Sequence, residues 1–228
     1  MSIAIITGGS RGLGRSVALH LADKGADIIL TYRTQRSAAE AVVGEIKGKG
    51  RRAAAFALDV ADVTSFDAFV AVVRAVLEAQ WGRDDFDILV NNAGIGTHAK
   101  FAETTTEQFD RLMNVHLRGP FFLTQKLLPL IADGGRVMNV STGLTRFTLP
   151  GHSAYAAMKG GMEVLGRYLA KELGSRRISV TTLAPGAVET DFGGGAVRDD
   201  EQLNRFVASS TALGRAGLPD DLGRAAAA

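Results

Sequence analysis

Short apolar runs and stretches of helical spacing alternate from one end of this chain to the other. Ile3–Ile6, Asp27–Thr31, Ala53–Leu58, Ile88–Val90, Arg136–Val140 and Ile178–Leu183 read as strands, short and mostly apolar. Between them, apolar residues recur at helical spacing over Leu13–Lys24, Ala38–Lys47, Ser65–Gln80, Glu107–Leu130 and Ser153–Gly174. A break in the fourth helix is expected near Gly119-Pro120, because proline withholds a backbone N–H. Strands alternating with helices predict parallel pairing through right-handed crossovers. The expected fold class is therefore α/β: one doubly wound, Rossmann-like parallel sheet of six strands. Ligands of such sheets bind beyond the carboxyl ends of the strands. The 228 residues suit a single domain, residues 1–228, and Ala225–Ala228 read as a helix cut short.

Composition narrows the functional classes. Apolar residues make up 46% and charged residues 22%, an ordinary globular balance. Without cysteine, thiol nucleophiles, thiolate metal sites and disulfides are excluded. His20, His98, His116 and His152 are scattered without metal-ligand spacing, so no metal is expected. Trp81 reads as a packing residue. A net charge of +2 does not call for a polyanionic partner, and the basic cluster Lys47, Lys49, Arg51 and Arg52 reads as a solvated turn; no nucleic acid is expected. The first residues enter a strand directly, and no apolar run approaches membrane-spanning length, so the expectation is a cytoplasmic protein without membrane attachment.

Polar residues after each strand supply the candidate chemistry. Thr7-Gly8-Gly9-Ser10-Arg11-Gly12-Leu13-Gly14 joins the first strand to the first helix. Gly8, Gly12 and Gly14 let the backbone turn and approach a pyrophosphate, whose charge meets the free N–H groups of the helix N-terminus. A ribose 2′-hydroxyl would call for an acid about 20 residues further on. The second strand instead ends in Thr31-Tyr32-Arg33-Thr34-Gln35-Arg36. Arg33, with Arg11, is placed to meet a 2′-phosphate, which favours NADP(H) over NAD(H). Asp59-Val60 follows the third strand and Asn91-Asn92-Ala93-Gly94 the fourth. Two asparagines beside Ala-Gly suit a place where strands diverge and backbone lies close to a flat ligand. Ser141 and Thr142 follow the fifth strand, and the next helix carries Tyr155 and Lys159 on one face. A phenol with pKa about 10 is a poor proton carrier near neutrality unless a neighbouring cation stabilises the phenolate. Lys159 could supply that charge, and Tyr155 could then exchange a proton with a carbonyl or alcohol oxygen.

Taken in order, Thr7-Gly8-x-x-x-Gly12-x-Gly14, Asp59, Asn91-Asn92-Ala93-Gly94, Asn114, Ser141/Thr142, Tyr155-x-x-x-Lys159 and Pro185-Gly186 resemble the short-chain dehydrogenase/reductase family. They are similar to its 3-oxoacyl reductase-like members, and Leu213–Asp221 looks like the family's late segment. The resemblance implies Tyr155 as catalytic acid/base, with Lys159 binding the nicotinamide ribose and lowering the phenol's pKa. It implies Asn114 holding a water in a proton relay, Asp59 and Val60 at the adenine, and Asn91, Ala93 and Gly94 lining the cofactor beside Ser10, Leu13 and the glycines. Pro185, Gly186, Val188 and Thr190 would hold the nicotinamide amide and lead into a lid over about 191–212.

The family's serine, thirteen positions before the tyrosine, is Thr142 here, with Ser141 one earlier. Thr142 is favoured as the catalytic hydroxyl because strand alternation turns Ser141 to the other side; Ser141 stays the alternative. Family members also continue into a seventh strand where this sequence ends, which predicts an exposed sheet edge and a thinner pocket. The expected function is NADP(H)-dependent interconversion of a small-molecule carbonyl and a secondary alcohol. An acyl-chain ketone, a sugar and a small aromatic ketone all remain open as substrate. A cofactor-binding sensor or oligomer partner with little catalysis is the alternative. The resemblance also implies a homodimer or homotetramer, pairing the Glu107–Leu130 and Ser153–Gly174 helices, where Val164, Leu165, Tyr168 and Leu169 add apolar surface.

Overall fold

The computed structural model describes residues 2–228. Six strands form one parallel sheet: β1 (Ile3–Ile6), β2 (Asp27–Tyr32), β3 (Ala53–Ala57), β4 (Phe86–Asn91), β5 (Ile131–Val140) and β6 (Ser179–Leu183). Their spatial order is β3-β2-β1-β4-β5-β6, so the direction of winding reverses between β1 and β4. The flanking helices are α1 (Gly12–Asp23), α2 (Arg36–Gly48), α3 (Phe66–Trp81), α4 (Thr106–Met113), α5 (Gly119–Leu127), α6 (Ser153–Glu172), α7 (Ala196–Asp199), α8 (Glu201–Ser209) and α9 (Pro219–Ala226).

Alternation along the central strands explains two cores. Ile3, Ile5 and Ile29 face one layer with Phe66, Val73, Leu77 and Leu123. Ala4, Ile6, Ile28 and Leu30 face the other with Val17, Leu21, Val42 and Ile46. Strands apolar on both faces are what a sheet covered on both sides by helices requires. The outer strand β6 differs: Ser179, Thr181 and Thr182 are exposed.

At the amino ends of the strands, charges are paired. Asp27, 1% exposed, accepts from the Arg52 backbone N–H (2.9 Å), Arg52 Nε (3.1 Å) and Trp81 Nε1 (2.7 Å), and Arg51 Nη2 lies 2.8 Å away. Lys49 pairs with Asp23 at 2.6 Å. The basic cluster is the exposed turn its composition suggested, but three of its four cations also sit on carboxylates that the sequence places some 25 residues away.

The fourth predicted helix breaks earlier than Gly119-Pro120. Asn114–Arg118 form a π turn in which the Gly119 N–H reaches the Asn114 carbonyl. Pro120 cannot donate to the preceding turn, and the wider turn takes up that missing bond. Gly119 is required there, since a Cβ would overlap the Val60 carbonyl.

Candidate active site

The polar residues beyond the strands converge at the point where the winding reverses. Gly8 (φ +67°) and Gly12 (φ +55°) adopt left-handed backbone in the loop between β1 and α1, a conformation side chains resist. Asn92 braces this loop, its Nδ2 donating to the carbonyls of Thr7 (2.8 Å) and Gly8 (3.1 Å). A Cβ on Gly14 would overlap both Gly8 O and Asn92 Nδ2. Ala93 lies against Gly8 and Thr190 against Gly12, so the glycine loop, the turn after β4 and the segment after β6 share one mouth. Ser10 is nearly buried, Leu13 half-buried against the core. Of the two asparagines, Asn91 points away: its Nδ2 donates to Thr124 Oγ1 (3.0 Å) and Asn139 Oδ1 (2.9 Å) inside the core. Its side chain braces the sheet, and Asn92 is the residue in contact with the loop.

Asp59 closes its own turn by accepting from the Ala61 N–H at 2.9 Å, and Val60 is buried in the core. Arg33 is exposed at the end of β2 and forms no ion pair among the described residues. Arg11 behaves differently, lying 3.6 Å from Asp191, which also pairs with Arg198. The Pro185 carbonyl accepts from the Gly143 N–H at 2.7 Å, tying the segment after β6 to the loop after β5; Gly186 is exposed. Val188 bridges to Gly217, and Thr190 Oγ1 accepts from the Phe192 N–H at 3.1 Å. Within the expected lid, Gly193, Gly194 and Gly195 all have positive φ, so a glycine turn leads into α7 and α8.

Tyr155 and Lys159 stand one turn apart on α6, both buried. The Thr142 hydroxyl faces the Tyr155 phenol and favours its ionised form. Ser141 faces the opposite way, its Oγ donating to Glu163 Oε1 at 2.7 Å, where Thr145 also donates at 2.8 Å. Strand alternation thus carries through into the loop and puts only the Thr142 hydroxyl on the tyrosine. Burial pushes the phenol up to about 12, partly offset by the Thr142 hydroxyl. Lys159, expected from the spacing to stabilise the phenolate, instead donates its Nζ to the Val140 carbonyl at 2.6 Å and lies 5.9 Å from the centre of the tyrosine ring. Burial brings Lys159 down to about 8.

Asn114 lies at the start of the π turn with its Oδ1 buried and without a hydrogen-bond partner. Two residues on, His116 (1% exposed) sets its ring edge-to-face against Tyr155 at 5.0 Å. Phe192 contacts the tyrosine from the lid, 5.8 Å between ring centres. Neither His116, Phe192 nor Glu163 stood out in the sequence. A lone histidine has no spacing partner, and the contacts of Phe192 and Glu163 arise only when the loops fold together. Beside this group lies an apolar cleft of about 280 Å³ lined by Phe101, Leu144, Leu149, Pro150 and His152 among others. Leu144 joins it to the Tyr155 side, since both belong to one cluster with Met158.

Among the described residues no helix is long and apolar enough to cross a membrane. The short chain dehydrogenase family model matches residues 2–201. The chain is 33% identical to versicolorin reductase of Emericella nidulans over 232 residues, covering 97% of this chain and 86% of that protein. It is 32% identical to a trihydroxynaphthalene reductase of Pestalotiopsis fici over 233 residues, covering 97% and 80%. Among solved structures, an angucycline C-6 ketoreductase with bound NADP superposes with a TM-score of 0.94 at 34% identity, covering 99% of this chain and 87% of that one. With motif order, sheet topology and overall likeness in agreement, the chain belongs to the short-chain dehydrogenase family.

Proposed function

We propose that this chain is an NADP(H)-dependent reductase that interconverts a ketone on a flat fused aromatic ring system with the secondary alcohol, Tyr155 acting as acid/base. The observation that carries the reading is the buried Tyr155 phenol on the Thr142 hydroxyl, with Lys159 one helical turn away. The aromatic substrate is supported by the apolar cleft behind Leu144, and by the named activities of the versicolorin and trihydroxynaphthalene reductases.

The residues present fit the cofactor. A side chain at Gly14 would fill the cradle, Gly8 and Gly12 hold left-handed turns, and Arg33 offers an uncommitted cation where β2 ends without an acid. Gly8, Ser10, Gly12, Leu13, Gly14, Ala93, Gly94 and Thr190 would line the nucleotide. Arg33 would select the 2′-phosphate, and Arg11 would join it on leaving Asp191. When bound, NADPH supplies the hydride that the carbonyl carbon accepts.

The chain's own task is the proton. At neutral pH the Tyr155 phenol is protonated, and weak acid though burial makes it, it can give that proton to the alkoxide oxygen of the reduced carbonyl, a far stronger base. The Thr142 hydroxyl positions that oxygen and then shares the charge of the phenolate. Lys159, buried beside them, offers a positive charge that gains strength from the low local dielectric. Asn114 Oδ1, buried and unpartnered, is a place for a water behind the lysine.

Self-association belongs to the same reading. Tyr168 (65% exposed), Val164, Phe121 and Phe122 leave apolar surface on α5 and α6, which suits pairing with a second copy. Sedimentation at micromolar concentration tests it, a monomer being the contrary result.

The test of the function is NADPH oxidation against a panel of aromatic and aliphatic ketones, with Tyr155→Phe and Arg33→Asp. Tyr155→Phe should lower kcat by about 10²–10⁴ while NADPH still binds. Arg33→Asp should cut the preference for NADPH over NADH about tenfold or more. A folded Tyr155→Phe protein with near-normal turnover would overturn the reading.

A further inference from the structure

We propose that His116 is a positioning residue for this reaction, holding the Tyr155 ring with its imidazole edge and the Ile95 backbone with its Nε2–H. The inference rests on the acid/base reading of Tyr155. Three neighbours define how that phenol is held: Thr142 at its oxygen, Phe192 from the lid and His116 from the π turn. Phe192 is 47% exposed, whereas His116 is 1% exposed. The imidazole is therefore the fixed wall. Its ring stands at 87° to the tyrosine with centres 5.0 Å apart, the edge-to-face arrangement that aromatic quadrupoles favour.

The other end of the imidazole holds the turn after β4. His116 Nε2 lies 2.8 Å from the Ile95 carbonyl and 3.3 Å from the Ile95 N–H; taking the shorter contact as the bond puts the ring proton on Nε2. Nδ1 is left as a buried lone pair without a partner. Space for the ring exists because residue 94 is glycine: a Cβ there would stand 2.9 Å from His116 Cε1. A histidine so placed has to stay neutral. Burial, joined by the nearby Lys159 charge, brings it down to about 3, so no second cation forms beside the lysine at working pH. One side chain thus ties the π turn to the tyrosine on α6 and to the backbone that continues from Gly94. The titratable groups facing Tyr155 are Lys159 from its own helix and His116 from the π turn; Thr142 and Phe192 carry no charge.

Two substitutions separate the two contacts. His116→Asn is too short to reach the tyrosine ring, and His116→Phe keeps the ring but loses the bond to Ile95. His116→Asn should lower kcat about two- to tenfold, the worth of one aromatic edge contact, with a smaller change in KM. His116→Phe should bring kcat back toward wild type and raise KM for the carbonyl about two- to tenfold, the worth of one hydrogen bond. A readout without cofactor accompanies them: ultraviolet titration of the phenol, with Tyr155→Phe subtracted to isolate Tyr155 from the other tyrosines. Loss of the wall admits water in His116→Asn, so Tyr155 should titrate lower than in wild type and recover in His116→Phe. Equal losses of kcat and KM in both variants, or an unshifted phenol in folded His116→Asn, would overturn the proposal. Should His116→Asn fail to fold, an unchanged KM in His116→Phe overturns it. If Tyr155→Phe keeps full turnover, the acid/base reading fails alone, and the cofactor-free titration still decides what His116 does.

Discussion

The two ends of this sheet bury charge in opposite ways. At the amino ends, the Asp27 carboxylate meets Arg51, Arg52, the Trp81 indole and a backbone N–H, and Asp87 meets Arg83 and the Ile3 N–H. The pairing outweighs desolvation and holds Asp27 below the usual carboxylate range. At the carboxyl ends, Lys159 is buried with the Val140 carbonyl as acceptor, Tyr155 is driven up by burial, and His116 Nδ1 and Asn114 Oδ1 lack partners. One end gives its Asp27 and Asp87 carboxylates partners from within the chain, although Arg51 Nε is buried there without one. The other holds its buried titratable groups toward the neutral form, which is where a ligand has something to supply. Stability and chemistry are thereby separated along the strand direction.

The largest expected stability effect breaks the well-paired end. Asp27→Ala leaves Arg51 and Arg52 without their carboxylate and the Trp81 N–H without an acceptor, and should cost about 3–5 kcal/mol in urea unfolding, with NADPH affinity per folded molecule retained. Loss of affinity without loss of stability would erase the division between the two ends. At the other end the effect is on the barrier. Thr142→Ala should raise it by about 2.7–4 kcal/mol, and Ser141→Ala should do less, because Ser141 serves Glu163 rather than the phenol. The reverse ranking in folded variants would give the role to Ser141.

Lys159→Met sharpens the contrast by sign. Removing a buried charge that lacks a carboxylate partner should leave the cofactor-free protein equally stable or more stable, by about 1–3 kcal/mol, while turnover and NADPH binding both fall. Thermal melting without cofactor checks this. A destabilised, poorly folded Lys159→Met protein would make the lysine part of the scaffold.

Local pattern made the strands and most helices legible, because doubly apolar strands and amphipathic helices leave periods that chance seldom imitates. Tyr155, Lys159 and the glycine loop were legible for a related reason: each motif is contiguous, and its chemistry is set by spacing along one element. What eluded sequence reading depends on pairs far apart. The pairing of Arg51 and Arg52 appears only when Asp27 is brought beside them, and which of Asn91 and Asn92 faces the glycine loop depends on where β4 ends. The Asn114–Arg118 turn follows from Pro120, but its position is set by how Val60 crowds Gly119. His116 joins three segments, and no one of them marks it.

The smallest effect concerns acid. His116 is brought by burial from 6.5 to about 3, so between those values the unfolded chain binds a proton that the folded chain refuses. Stability from this group is complete above about pH 6.5 and declines as pH falls toward 3. Asp27 also has a lowered pKa, but as an acid its stabilisation is lost only as pH falls below the unfolded value of 3.8 toward its folded value. Lys159, from 10.5 to about 8, adds a slope only on the alkaline side, stability rising between those values. The carboxyl end should therefore yield to acid first, and from pH 6 to pH 5 His116 should remove about 1 kcal/mol. Urea unfolding of wild type and His116→Phe between pH 6 and pH 5 reads the difference. The variant should lose less stability than wild type across that range, since it has no imidazole to protonate on unfolding. Parallel losses would place the acid sensitivity elsewhere and remove His116 from the contrast between the two ends.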